Sequence, residues 1–184
     1  NTKSRYSSSA ESTLDQDLTI LKSGGSVSDL LDRLSAQFGR LDVNEAELQS
    51  RRSTSGYFKA MFLAFREDGA KDWYTKLEIS VKHSGAEDKL QFHHIFPKAF
   101  LRENYPDLKR SQVNDIANLA FIGGKTNREI SAKAPSEYLK KIIDSKDRNQ
   151  LELQAIPLEG EILDQYSFDD FIARRRAACS DAAD

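Results

Sequence analysis

The sequence predicts an α+β fold, mainly α, in which a strand–loop–strand–helix unit is held between helical flanks. Three observations carry this. Apolar residues recur at three- and four-residue spacing from Leu14 to Phe65 and again after Pro135. Between Trp73 and Gly124 that spacing gives way to short β-branched or alternating runs. Gly and Pro punctuate the changeovers, at Gly69, Gly85, the Gly123-Gly124 pair and Pro135. The 184 residues suit one domain of ordinary size, and ten Phe, six Tyr and one Trp supply anchors for a modest core.

Residues 1–12 (NTKSRYSSSAES) are Ser-rich and polar and are expected to form a flexible N-terminal segment. Residues 13–75 are expected to be a helical flank. Leu14, Leu18 and Leu21 stripe a first helix, the Ser23-Gly24-Gly25-Ser26 break ends it, and Leu30, Leu31, Leu34 and Phe38 stripe a second. Ser28 is the expected N-cap of that second helix and Gly39 its closing residue. A third helix is expected from Asn44 to about Arg52, and a fourth carries Tyr57, Phe58, Met61, Phe62 and Phe65 to near Gly69 as packing aromatics.

Strands are expected at 77–81 (LEISV), at 89–95 (KLQFHHI) and at 116–124 (IANLAFIGG). A helix then opens in TNREISAK with Thr126 as a possible cap, and PSEYLKKIID begins another, Pro135 being tolerated in a first turn. Over 149–184 a C-terminal helical flank is expected, with Phe168, Phe171 and Ile172 as its apolar stripe. Arg174, Arg175 and Arg176 would follow near the helix end, where cations complement the dipole.

The formal charge of −2 taken alone argues against a nucleic-acid partner, because sequence-independent affinity for phosphates comes from Lys and Arg. The charge is segregated, however. Residues 89–148 hold 12 Lys and Arg against 7 Asp and Glu, whereas the remainder holds 15 against 22. The apolar run Ala60 to Phe65 is far short of the roughly 18 residues a membrane helix needs, and no basic-then-apolar signal segment opens the chain. No membrane association is expected. The single cysteine, Cys179, forbids an internal disulfide and a multi-cysteine zinc cluster, and fits a reducing, cytoplasmic location. A start at Asn1 rather than Met is expected of a fragment of something longer.

His83 lies in the polar loop VKHSGAED and reads as a solvated residue. His93 and His94 are adjacent, at the end of a strand that Pro97 must terminate. Neighbouring side chains on a strand point to opposite faces, so the pair can share one site only if the chain bends just after His93. Ile95-Phe96-Pro97 is expected to supply that bend. Asn118 sits at the mouth of the following strand, and Asn127 lies nine residues later, past the Gly123-Gly124 turn.

Together HHIFPKAFL and VNDIANLAFIGGKTNREISAKAPSEYL, within about residues 89–143, resemble the ββα-metal finger of HNH (His-Me finger) endonucleases. More narrowly they look like the HNH domain at the C-terminal end of GmrSD-type, modification-dependent restriction proteins. That is a bacterial anti-phage family whose N-terminal half is a nucleotide-hydrolysing sensor domain. The resemblance implies an HNH nuclease core over 76–148, DNA (in that family phage DNA) as substrate, and a sensor domain missing from this chain.

Carried over residue by residue, it makes His93 a metal ligand, His94 the general base, Asn118 the residue that pins the His94 loop, and Asn127 the second metal ligand. Asn114, in the same VNDIAN segment, is the rival for the role of Asn118. Lys125, Arg128 and Lys133 are either contacts to backbone phosphates or ordinary surface charges. The implied cofactor is a divalent cation, magnesium first, with manganese, cobalt or nickel also suited to imidazole. Many HNH enzymes carry His at the last ligand position, so Asn127 makes this an H-N-N site with a neutral, weaker ligand. The alternative reading is a helical module that docks DNA or protein and carries a decayed ββα unit.

Overall fold

The computed structural model describes residues 5–6, 10–145, 147–158 and 167–182. Within these the chain is mainly helical with one two-stranded sheet. Helices α1 (Ala10–Lys22), α2 (Val27–Phe38), α3 (Glu45–Leu48) and α4 (Gly56–Glu67) come first. Strand β1 (Leu90–His94) leads through α5 (Lys98–Asn104), α6 (Arg110–Val113) and a 3-10 turn at Ile116–Asn118 into β2 (Leu119–Gly123). Helices α7 (Gly124–Ile130), α8 (Pro135–Asp144), α9 (Arg148–Glu152) and α10 (Phe168–Asp181) follow. No helix of the described residues is long and apolar enough to cross a membrane.

β1 and β2 are antiparallel, with His93 opposite Ala120 and His94 opposite Leu119. Because side chains alternate across a sheet, the two strands divide two cores. Leu119 and Phe121 pack with Phe58, Met61 and Phe65 of α4, and with Val43, Leu48 and Cys179. Ala120 and Ile122 face the other way, onto Trp73, Ile95, Tyr138, Leu139, Phe168 and Phe171. Helices from both ends of the chain therefore clamp the sheet between them. Leu101 of α5 is buried in the second core, which is why the connection expected to be a plain loop carries helical turns.

Several local expectations are corrected. Helix α2 starts after Ser26, whose hydroxyl accepts the Asp29 N–H at 3.2 Å while the Asp29 carboxylate accepts the Ser26 N–H at 2.6 Å. This reciprocal box satisfies two orphan donors, so Ser28 lies inside the first turn instead of capping it. Helix α3 is a single turn, capped by the same kind of box between Asn44 and Glu47. Residues 77–81 make no strand: they fold back on Lys71 through one isolated bridge at Glu78. They cannot extend the sheet, because side chains already hold the outer edge of β2. Gln154 pairs with both the N–H and the C=O of Phe121, the Asp72 carboxylate takes the Gly123 N–H, and Arg175 donates to the Leu119 C=O.

The Arg174–Arg176 run lies within α10, which continues to Asp181. Arg175 is fully buried and donates to the carbonyls of Ala117, Leu119 and Gln154 at 2.8, 2.7 and 3.1 Å. It serves as an internal brace for the end of the connection and the start of β2. Thr126 is not a cap either: it sits inside α7 and donates to Asp72 at 2.5 Å. In the segment read as flexible, Arg5 and Tyr6 reach Asp17 of α1 at 2.7 and 2.8 Å.

Candidate active site

β1 continues through His94, and the chain turns only at Ile95–Pro97. The bend expected just after His93 therefore comes one residue too late, and the two imidazoles leave opposite faces of the strand. His93 is 4% exposed, with its ring centroid 6.1 Å from that of Trp73 and 5.7 Å from that of Tyr138, both edge-on. His94 shares its face with Phe92 and lines an open groove.

Asn127 Oδ1 lies 2.8 Å from His93 Nδ1. Two features deliver it there. The first is a close approach at the glycine pair: a Cβ on Gly124 would stand 2.1 Å from the Ala86 carbonyl oxygen, so only glycine lets the 86–87 segment lie across the start of α7. Glu87 then accepts the Lys125 N–H at 2.8 Å. The second is Asp72, buried, which accepts from the Gly123 N–H, the Thr126 hydroxyl and the Thr75 N–H at 2.6, 2.5 and 2.7 Å. Those bonds hold its carboxyl below the usual range against the opposing effect of burial.

Burial lowers the His93 pKa to about 4, offset in part by the bond to Asn127 and reinforced by the nearby His94. The ring is neutral at physiological pH, the form that ligates metals. Two cis ligands about 2.1 Å from an octahedral cation are about 3.0 Å apart, so the Nδ1–Oδ1 separation suits a shared divalent ion. Among the described residues no three His, Cys, Asp or Glu side chains cluster to hold an ion. His93 with Asn127 is thus a sparse donor set. His93 Nε2 is buried without a protein partner, as is Trp73 Nε1.

Asn118 is completely buried. Its Oδ1 accepts the Phe96 N–H at 2.9 Å, and its Nδ2 donates to the carbonyls of Phe96 and Val113 at 3.2 and 3.0 Å. The Asn118 carbonyl accepts the Ile95 N–H at 2.9 Å, and the Tyr138 hydroxyl donates to the Ile95 carbonyl at 2.7 Å. One amide therefore fixes the turn that follows His94.

Asn114 takes a different position, with its Oδ1 3.1 Å from His94 Nε2. Its Nδ2 donates to the Arg110 carbonyl at 2.7 Å, which sets the orientation of the amide. Burial lowers the His94 pKa and Lys98 opposes its protonation, while the Asn114 bond works the other way. The neutral ring facing an amide oxygen carries its proton on Nε2, which leaves the lone pair on Nδ1.

The profile of the GmrSD restriction endonuclease C-terminal domain matches residues 40–179. The chain belongs to this family. It is thus a C-terminal domain of restriction-endonuclease type, and the match begins just after the α1–α2 hairpin. An uncharacterized protein of Methanocaldococcus jannaschii is 28% identical over 166 residues, which cover 86% of this chain but 27% of that protein. No solved structure gives a significant match.

In this GmrSD-family domain the cations expected to hold phosphates are spread out. Arg128 donates to the Ala86 carbonyl and pairs loosely with Glu87, and Lys133 donates to the Glu129 carbonyl. Lys125 is exposed in the first turn of α7. Beside His94 stand three others, Arg52, Lys98 and Arg110. Arg52 precedes α4, well outside the basic segment 89–148, and only the fold brings it to the groove. No local signal in the sequence marks it, whereas the regional charge excess is a faint pointer to Lys98 and Arg110.

Proposed function

We propose that the domain is a metal-dependent DNA endonuclease of the HNH type. The carrying observation is the 2.8 Å approach of His93 Nδ1 to Asn127 Oδ1, brought about by the glycine-pinned start of α7. His93 and Asn127 would hold a divalent cation, magnesium by preference, and its chemistry is to neutralise charge on the scissile phosphate and the leaving oxygen. Ligation through Nδ1 puts the ring proton on Nε2, where the protein offers no acceptor. Such an uncompensated donor costs about 1–3 kcal/mol, so affinity for the ion alone is modest.

Because the imidazoles leave opposite faces of β1, the scissile phosphate in this mechanism lies across the end of the strand, with the His93–Asn127 pair on one side and His94 on the other. His94 Nδ1 takes a proton from water as the water oxygen bonds to phosphorus, and the P–O bond to the 3′ oxygen breaks with its electron pair going to that oxygen. A positioned base contributes roughly 10²–10⁴-fold. Asn118 keeps the turn after His94 fixed, and Asn114 keeps Nε2–H engaged so that Nδ1 is the basic atom. The family resemblance supports an anti-phage role with phage DNA as substrate. The same resemblance supports a nucleotide-hydrolysing sensor as the partner domain.

Incubation with supercoiled plasmid tests this reading. Nicking with magnesium or manganese, abolished by excess EDTA, is expected. Undiminished cleavage in EDTA, or binding without cleavage in any divalent metal, overturns it, the latter in favour of a docking module.

A further inference from the structure

We propose that the groove beside His94 binds one nucleotide unit of the substrate strand, its backbone phosphate on Arg52, Lys98 and Arg110 and its base or sugar against Phe92. This deepens the nuclease reading and rests on it. The groove encloses about 550 Å³, and its lining holds three cations and no carboxylate. In a chain where Asp and Glu outnumber Lys and Arg by 29 to 27, that is a local exclusion of negative charge.

Some exposed cations elsewhere are paired, as Arg148 is with Glu152 and Arg128 with Glu87. Arg52, Lys98 and Arg110 are exposed, and no hydrogen bond or ion pair within the described residues engages their side chains. Three unengaged cations around one groove suit a phosphodiester, and the hydroxyls of Ser53, Thr54 and Ser111 add neutral donors. Lys98 faces the His94 ring closely enough to oppose its protonation.

Phe92 supplies the second half of the site. It is 49% exposed on the groove face and is held edge-on against Phe58 at 4.9 Å and Phe121 at 5.9 Å. A fixed, exposed ring among cations is a stacking platform for a base, in the manner of grooves that track single strands. Because His94 lines the same groove, the bound nucleotide lies next to the phosphate that is cut.

The test is fluorescence anisotropy of a short labelled single strand with the full chain, in EDTA so that nothing is cut, across a range of salt. Replacing both Arg52 and Arg110 by Ala should weaken binding and lower the slope of log K against log salt by up to about 0.7, the value for the one phosphate they share. Phe92→Ala should weaken binding by about tenfold with the slope unchanged. Lys22→Ala, on α1, should alter neither quantity. Equal melting temperatures show that the exposed replacements leave the fold intact. Wild-type affinity and slope in the double variant overturn the proposal, as does wild-type protein that binds no DNA. Plasmid nicking in magnesium keeps the two readings separate. Nicking by a wild type whose double variant binds and nicks equally well removes the groove and keeps the nuclease. Groove-dependent binding without nicking does the reverse.

Discussion

Asn114 Oδ1 lies 3.1 Å from His94 Nε2, on the side of β1 opposite the His93–Asn127 contact. The bond favours the charged ring, so its loss and its strengthening have opposite signs. The proposed mechanism requires neutral His94. Asn114→Ala should move the acidic limb of the pH–rate profile to lower pH, and Asn114→Asp should move it to higher pH. Both should reduce the plateau rate by about tenfold or more, as loss of an orienting partner does. Limbs that shift the same way in both variants would show that Asn114 does not set the basicity of His94.

His93 is predicted to make the metal-free protein acid-sensitive. Its folded pKa of about 4 lies below the unfolded value of 6.5. The stability linked to the neutral ring is present above pH 6.5 and is lost as pH falls toward 4, by about 3 kcal/mol in this window. Urea unfolding in EDTA should show this drop, and His93→Gln should flatten that part of the curve. An equally steep curve in the variant would assign the drop to other groups.

Asn118→Ala leaves the Phe96 N–H and the carbonyls of Phe96 and Val113 without their buried partner. A loss of about 2–4 kcal/mol is expected, measured by the denaturation midpoint at constant m-value, together with slower nicking. A loss under about 0.5 kcal/mol would mean that the turn after His94 is held mainly by Tyr138 and the backbone.

Much of this was legible in the sequence because local chemistry dictated it. Pro135 opens α8, the glycine pair closes β2, and alternation marks β1 and β2. The juxtaposition of His93 with Asn127 followed from a motif whose spacing the fold preserves. What escaped were relationships set only by tertiary packing. The strand expected at 77–81 fails because Gln154, Asp72 and Arg175 already occupy the β2 edge, and each comes from a distant segment. The bend after His93 fails because pairing with Leu119 extends the strand by one residue. Arg52 gave no signal, since an arginine pair before a helix reads as solvated until the fold places Arg52 beside His94.

Asp72 is predicted to act on the metal without touching it. Its two oxygens accept from Gly123 and from Thr126 and Thr75, which aligns the first turn of α7 and hence Asn127. Asp72→Asn replaces one acceptor with a donor that faces an N–H or a hydroxyl. Manganese affinity should fall by roughly 10–100-fold, the usual cost of losing an outer support of a metal site. Unchanged affinity would show that Asn127 is placed independently of Asp72.

The central claim divides the adjacent histidines into a ligand and a base. Calorimetric titration of manganese, run beside plasmid nicking for wild type, His93→Ala, His94→Ala and Asn127→Ala, tests it most directly. The account predicts that His94→Ala binds manganese nearly as wild type does yet nicks roughly 10²–10⁴-fold more slowly. His93→Ala and Asn127→Ala should bind it weakly and regain part of their activity at high metal. Loss of manganese binding in His94→Ala with retention in His93→Ala would exchange the two roles, and wild-type nicking by all three variants would contradict the site altogether.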